Sequence, residues 1–296
     1  MLAQQRQEQI LANIRSRGAV RVADLVVSLD VSDMTIRRDI ADLTQRGLVR
    51  RVHGGAVDVH HATHEPGFGA KRELATAEKA AIAREAITLV TPGSAIALSA
   101  GTTTHLLARL LAADRALRPL TVVTNSLPAA EALHHPEDRD LTVVLTGGTR
   151  TPSDALVGPV ATRAIAALRV DILFLGVHGM DADAGLTTPN LLEAETDRAL
   201  IAAAGTTVVL ADRSKWGAVG LSRIADLTEV DALICDDGLP EEAAAALRDV
   251  VGRLVLVPTD TTTRAWTPDD ARPDDDRPDD DPTTPGIGPT REEGRG

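Results

Sequence analysis

Apolar positions near the N-terminus recur with helical spacing. Ile10, Leu11 and Ile14 fall on one side of a helix that Gly18 ends. Val22, Leu25, Val26 and Leu29 give the inward side of a second, shorter helix. Ser32 has the character of an N-cap, its hydroxyl placed to accept from the open amides of the next turn. Ile36, Ile40 and Leu43 then repeat at i, i+4 and i+7, so a third helix carries one apolar stripe and stops at Gly47. The run LVRRVHGGAV at 48–57 sets two β-prone segments around a turn and predicts a hairpin. Periodicity vanishes over 58–75, which reads as a linker with a short helix near its end.

From residue 76 the texture changes. Helical stretches alternate with β-branched runs at 95–99, 120–124, 141–145, 171–176, 206–211, 231–235 and 253–257. That alternation predicts an α/β domain over 76–258 with a mostly parallel sheet covered on both faces. From about Thr259 the chain is rich in Pro and Asp and nearly free of large apolar residues. Such a segment cannot bury enough surface to offset its ordering entropy, so 259–296 reads as a disordered acidic tail.

Charge separates the segments further. The 296-residue chain has a formal net charge of -12, yet residues 1–60 hold nine arginines against seven acids. An asymmetry of this kind points to different partners for the two parts. One cysteine, Cys235, excludes an intrachain disulfide framework and fits a reducing compartment. No stretch approaches the ~20 apolar residues that span a bilayer, and the polar start lacks the apolar core of a signal peptide. A cytoplasmic protein with no membrane partner is expected.

With Ile36 turned inward, Met34, Arg38, Ala41 and Gln45 point outward from the third helix, flanked by Thr35 and Arg37. Small polar and cationic groups in the first turn suit a helix that enters the DNA major groove, where they meet base edges and phosphates. Arginine also grips phosphate bidentately. Three short helices and a basic hairpin therefore describe a winged helix-turn-helix over 1–57. Ser32, Met34, Thr35, Arg37 and Arg38 are its candidate reading residues, and Arg50, Arg51, His53 and Gly54 lie on or near the wing. Alone, Arg-Arg-Asp equally describes a surface helix whose arginines pair with Asp33, Asp39 or Asp42.

Polar, glycine-bearing junctions follow five of the predicted strands. They are Gly101-Thr102-Thr103-Thr104, Thr124-Asn125-Ser126, Gly147-Gly148 with Arg150, Gly176 with Gly179, and Asp212 with Lys215. Open parallel sheets bind ligands at the C-terminal ends of their strands, and helix-start amides with threonine hydroxyls donate to phosphate oxygens. A small anionic ligand such as a sugar phosphate fits this set. Each junction taken singly is also an ordinary helix cap or a solvated lysine. The G-x-x-x-x-G-K-[ST] and G-x-G-x-x-G nucleotide fingerprints are absent, and no cofactor is expected.

The chain resembles the DeoR family of bacterial transcriptional regulators. The matching elements are Arg6, Ile10, Gly18, Val22, Leu25, Val31-Ser32, Thr35 through Asp39, Leu43, Gly47 and Arg51 with His53 through Ala56. They continue with GTTT, TNS, TGG, the G-x-x-G of Gly176 and Gly179, Glu193-Ala194-Glu195 before Arg198, and Asp212-x-Ser-Lys215. The resemblance implies that Ser32 to Arg38 read operator DNA and that His53 to Ala56 form the wing. It implies a structural role for Asp39, orienting an arginine, and a sensor domain similar to ribose-5-phosphate isomerase. It further implies a repressor of carbohydrate genes whose operator binding responds to a phosphorylated sugar. Glu195 joins the candidate effector-binding residues on the same ground. Ser99 and Asp197 depart from the family, which often has an acid at the first position and commonly a base at the second.

Paired half-sites on DNA imply at least a dimer, assembled through the α/β domain. The alternative is a sugar-phosphate isomerase carrying a DNA-binding module, with Glu195, Asp181 and Lys215 as the available acid–base groups. Ser99 weakens that reading. The cluster HHATH at 60–64 with nearby His53 lacks a cysteine or acidic partner set that would fix a metal geometry, so no metal site is assigned.

Overall fold

The computed structural model describes residues 3–17, 19–46, 48–52, 54–58, 67–135 and 137–259. Gly18, Gly47, His53, the histidine cluster at 60–64 and the predicted tail from 260 onward lie outside the described residues, as does the side chain of Arg50. All described residues belong to one unit.

The N-terminal head runs through α1 (Ala3–Arg17), β1 (Ala19–Arg21), α2 (Val22–Leu29), α3 (Asp33–Gln45), β2 (Val49–Val52) and β3 (Gly55–Asp58). Ile10, Ile14, Leu25, Ile36, Ile40, Leu43 and Val49 pack into one small aliphatic core. Burial of each such side chain contributes roughly 1.5–3 kcal/mol relative to exposure. Helix α2 ends on Asp30 in the left-handed region, φ 50°, and the chain turns directly into α3. Strand β1 is too short to show a periodicity, and nothing in the sequence marks it. It pairs antiparallel with β3, which also pairs with β2, giving the order β1-β3-β2.

This small sheet depends on a glycine pair. Gly54 turns the hairpin at φ +78°, and a Cβ on Gly55 would lie 2.1 Å from the Val20 carbonyl oxygen. Gly55→Ala is therefore expected to push β1 off the sheet at a cost of about 1–3 kcal/mol or more. A melting curve followed by circular dichroism should show a lower midpoint, and an unchanged midpoint would contradict this packing.

Two helices connect the head to the sheet domain, α4 (Phe68–Arg72) and α5 (Thr76–Ile87). Then follow β4 (Ala95–Leu98), α6 (Thr102–Ala113), β5 (Leu120–Thr124), α7 (Leu127–Ala132), β6 (Leu141–Leu145), the short pair β7 (Thr149–Arg150) and β8 (Leu156–Val157), and α8 (Pro159–Ala166). The second half holds β9 (Val170–Gly176), β10 (Gly179–Asp181), β11 (Gly185–Thr188), α9 (Leu191–Ala203), β12 (Ala204–Leu210), β13 (Ser222–Ala225), β14 (Ala232–Asp236), α10 (Glu241–Val250) and β15 (Leu254–Val257).

The seven runs read from the sequence form one parallel sheet in the order β15-β14-β12-β9-β4-β5-β6. Alternate residues face opposite layers. Leu98, Val122, Phe174 and Ile234 pack with Ile82, Leu107 and Leu111 on one side; Leu173, Leu175, Val209 and Leu233 pack with Leu200 and Leu247 on the other. Chain progression runs outward in both directions from β4 and β9, so the topology reverses between these two strands. Ser99 closes that joint. Its hydroxyl is fully buried and accepts from Gly176 N at 2.8 Å, while Ser99 N donates to Phe174 O at 3.1 Å.

Candidate nucleic-acid interface and ligand cleft

Helix α3 starts as its sequence dictates. Ser32 Oγ accepts from Thr35 N at 3.3 Å, satisfying one of the open amides. Ile36, Ile40 and Leu43 face the core, and Asp39 is buried among them at 3% exposure. A buried carboxylate needs partners, and α1 supplies them. Arg6 donates to Asp39 from Nε at 2.5 Å and from Nη2 at 3.2 Å, and Gln7 adds a bond at 3.3 Å. The hydrogen bond to Asp39 raises the Arg6 pKa. Arg46 in turn donates to Gln7 Oε1 at 3.2 Å. These bonds clasp α1 to α3 and fix the direction in which α3 presents its outer face.

That face holds Ser32, Met34, Arg37 and Arg38, all exposed, with Thr35 half-buried. Arg37 pairs with Asp33 on the preceding turn, through an Nη2–Oδ2 contact of 3.2 Å and a shorter one from Nε. Arg38 has no hydrogen-bond or ion-pair partner among the described residues. Of the wing, Arg51 and Gly54 are exposed at the hairpin end.

The second site lies where the sheet topology reverses, the position at which open α/β sheets bind ligands. The cleft is lined by Gly101, Thr102 and Thr103 at the start of α6, by Asn125, by Gly176 with Val177 and His178, and by Lys215. Four of the five predicted junctions thus contribute residues. Asn125 doubles as a clasp: its Oδ1 accepts from Ala100 N at 3.0 Å and its Nδ2 donates to Leu156 O at 3.2 Å.

Other candidates hold the walls without lining the cleft. Thr104 donates to Ser99 O at 2.7 Å and Thr124 to Leu98 O at 2.8 Å. Ser126 caps α7 by accepting from Ala129 N at 3.2 Å. Gly147 and Gly148 turn the chain at φ +71° and +127° toward the β7–β8 pair; a Cβ on Gly148 would lie 2.6 Å from Val157 O. Gly179 lies against Ala218, whose carbonyl oxygen would be 2.1 Å from an added Cβ. Glu195 is exposed on α9 and points away.

The acids that do line the cleft are Glu193 and Asp197, one helical turn apart on α9. The resemblance read from the sequence implies Glu195 instead, although the i, i+4 spacing of Glu193 and Asp197 places them on a common face. Phe68 and Lys71 of α4 also line the cleft. They sit in the stretch read as linker, where no periodicity marks them. Phe68 N donates to Pro152 O at 3.3 Å, and its ring meets His105 edge-on at 5.5 Å between centroids.

Positive charge gathers at this end. Lys79 is 3% exposed and donates to the carbonyls of Lys71 and Leu74, both at 2.6 Å, anchoring the C-terminus of α4. Burial pushes its pKa down to about 8, with Lys215 and Lys71 acting in the same direction. Asp212, below Lys215, is driven up by burial but drawn lower overall by Lys215 and Ser214. The Lys79 shift has a testable sign. Between pH about 8 and 10.5 the unfolded chain holds the Lys79 proton more tightly than the folded one, so stability rises with pH in that window. Urea melts should show wild type gaining stability relative to Lys79→Met across it; parallel pH profiles would refute the shift.

A winged helix-turn-helix joined to an α/β domain with a cleft at its topological switch point is the plan of a transcriptional regulator. Residues 6–62 match the DeoR-like helix-turn-helix domain and residues 74–237 the DeoR C terminal sensor domain. The chain belongs to the DeoR family of helix-turn-helix transcriptional regulators. It is 36% identical to the HTH-type transcriptional regulator GlpR of Haloferax volcanii, covering 82% of this chain and 93% of that protein. It is 31% identical to the glycerol-3-phosphate regulon repressor of Haemophilus influenzae, over 85% of this chain and 96% of that one. A solved D-ribose-5-phosphate isomerase in complex with phospho-erythronic acid is similar at 18% identity and a TM-score of 0.35, covering 47% of this chain and 52% of that one. Among the described residues no helix is long and apolar enough to cross a membrane.

Proposed function

We propose that the chain represses a carbohydrate operon in the cytoplasm and that a phosphorylated sugar in the cleft modulates its grip on the operator. The observation that carries this reading is the convergence of Lys71, Lys215 and the amide-bearing start of α6 on the switch-point cleft. Helix-start amides and lysine are the usual donors to a phosphate group, and Asn125, Thr188 and Ser153 offer partners for sugar hydroxyls. The regulatory roles named for the relatives support repression. The head supplies the DNA contacts through Ser32, Met34, Thr35, Arg37, Arg38, Arg50, Arg51, His53 and Gly54. One head reads one half-site, so the working species is a homodimer or larger.

Catalysis is the weaker reading. Ser99 is committed to the β4–β9 joint, and Asp181 Oδ1 accepts from Asp183 N and Ala184 N at 3.0 and 3.1 Å. A ligand controls DNA binding only if it favours one arrangement of the head over another. The test is to titrate sugar phosphates into a complex of the protein with operator duplex selected from random sequence. At least one should change the operator Kd by about fivefold or more, the lower end of typical coupling. Lys215→Ala should remove the response and leave ligand-free operator affinity intact. An operator complex indifferent to every sugar phosphate would overturn the proposal.

A further inference from the structure

We infer that the outer face of α9 is the surface on which a second copy of this chain docks, the two α9 helices pairing antiparallel about a two-fold axis. This rests on the homodimer reading above and names the surface that joins the copies.

Helix α9 divides its residues among three surroundings. Glu193 and Asp197 line the cleft, and Ala194, Leu200 and Ala203 enter the core. Leu191, Glu195, Arg198 and Ala202 recur at i, i+4, i+7 and i+11, so they share one stripe, and all four are exposed. The stripe opens on an apolar patch. Leu191 is 61% exposed, and Leu192 beside it is exposed as well. The loop at 219–221 lies against the residues that precede α9. Gly220 N donates to Thr187 Oγ1 at 2.9 Å, and a Cβ on Gly220 would lie 2.4 Å from the Thr188 carbonyl carbon. That contact brings Val219 and Leu221, both exposed, beside the helix start. Contiguous apolar surface rimmed by charge marks a protein contact.

The occupant follows from the order of the side chains. A two-fold dimer uses one patch on both subunits, so the stripe has to complement itself reversed. It does. Its intervals of four, three and four residues are the same from either end. An antiparallel copy therefore sets Leu191 against Ala202 of the partner subunit and Glu195 against Arg198 of the partner subunit. A large side chain faces a small one, and an acid faces a base, twice over. A parallel copy would set like charge on like charge, which disfavours association. Within the chain Arg198 spends one donor on Arg223 O at 2.5 Å, and its guanidinium has others for an acid across the joint. Ligand and partner then meet on one helix, so a bound effector is expected to act on the joint that spaces the two heads.

Sedimentation velocity of the full chain over a range of concentrations tests this. Glu195→Arg sets arginine against arginine and Arg198→Glu sets acid against acid, so each alone is expected to weaken the dimer about tenfold or more. An equimolar mixture of the two should recover wild-type association, because each variant complements the other. Leu191→Glu should weaken the dimer as well. Should Arg198→Glu fold poorly by circular dichroism, Glu195→Arg and Leu191→Glu, both at exposed positions, decide the matter. Undiminished dimers in the single variants, or a mixture of folded variants that fails to recover, would overturn the inference and leave the homodimer reading intact. A wild-type chain that is monomeric at every concentration would overturn that reading and the inference with it, and leave the face to a different partner.

Discussion

Replacing Arg38 by alanine is expected to weaken operator binding by about tenfold to a hundredfold, the usual effect of removing one specific arginine from a groove. The clasp of Arg6 and Gln7 on Asp39 aims α3, and Arg38 lies on the face so presented. Arg37 and Arg38 are adjacent in sequence but not equivalent. Arg37 is held by Asp33, and the hydrogen bond to that carboxylate is the chief reason its pKa is raised. Reaching DNA would oblige it to exchange one anionic partner for another. Arg38 makes no such exchange, so Arg37→Ala should cost less. Fluorescence anisotropy with the selected operator duplex, repeated across salt concentrations, separates two roles. If Arg38 grips a phosphate, its removal lowers the slope of log Kd against log salt by about one. If it reads a base, its removal relaxes sequence preference at one position. Wild-type affinity of Arg38→Ala at physiological salt would remove α3 as the reading element.

The head and the sheet were legible in the sequence for one physical reason. Their elements are amphipathic or fully buried, and period is what burial imprints on a sequence. Ile36, Ile40 and Leu43 announced α3, and all seven β-branched runs became strands of the parallel sheet. The short antiparallel pieces, β1, β7, β8, β10, β11 and β13, were not legible. Each spans two to four residues, too few for a period to register. The cleft was legible only in part. Glycine and hydroxyl residues at strand ends mark a sheet edge, but they do not tell a lining residue from a clasp. Thr103 faces the cleft while Thr104 bonds back to Ser99, and both sit in the same GTTT run. Phe68 and Lys71 arrive from outside the sheet altogether, on a helix whose position depends on Lys79 capping its end.

Glu78→Gln is expected to uncouple the cleft from the head, leaving ligand-free operator affinity and ligand affinity near wild type while the ligand's effect on operator Kd falls toward one. Glu78 is 7% exposed on α5, and its Oε1 receives Arg21 of β1 at 3.2 Å and Arg213 at 3.0 Å. Arg213 is also bound by Asp236, with Nη1 to Oδ2 at 2.5 Å, and lies in the 3-10 turn Arg213–Lys215 whose last residue lines the cleft. An anion drawn to Lys215 is therefore expected to act on the turn that carries Arg213, and Arg213 shares one Glu78 oxygen with Arg21. Arg21 belongs to the strand that pairs with the wing hairpin. Both arginines bond one Glu78 oxygen, so a gain on one side of Glu78 is expected to be felt on the other. Glutamine keeps the shape and removes the charge, so its effect reads the ion pairs and not the packing. The same titration of effector into operator complex provides the measurement. Arg21→Gln should reproduce the loss, and the double variant should add little to either single change, as expected for residues acting through one contact. A full effector response in Glu78→Gln would sink the relay and shift the coupling to α4, where Phe68→Ala would then abolish it.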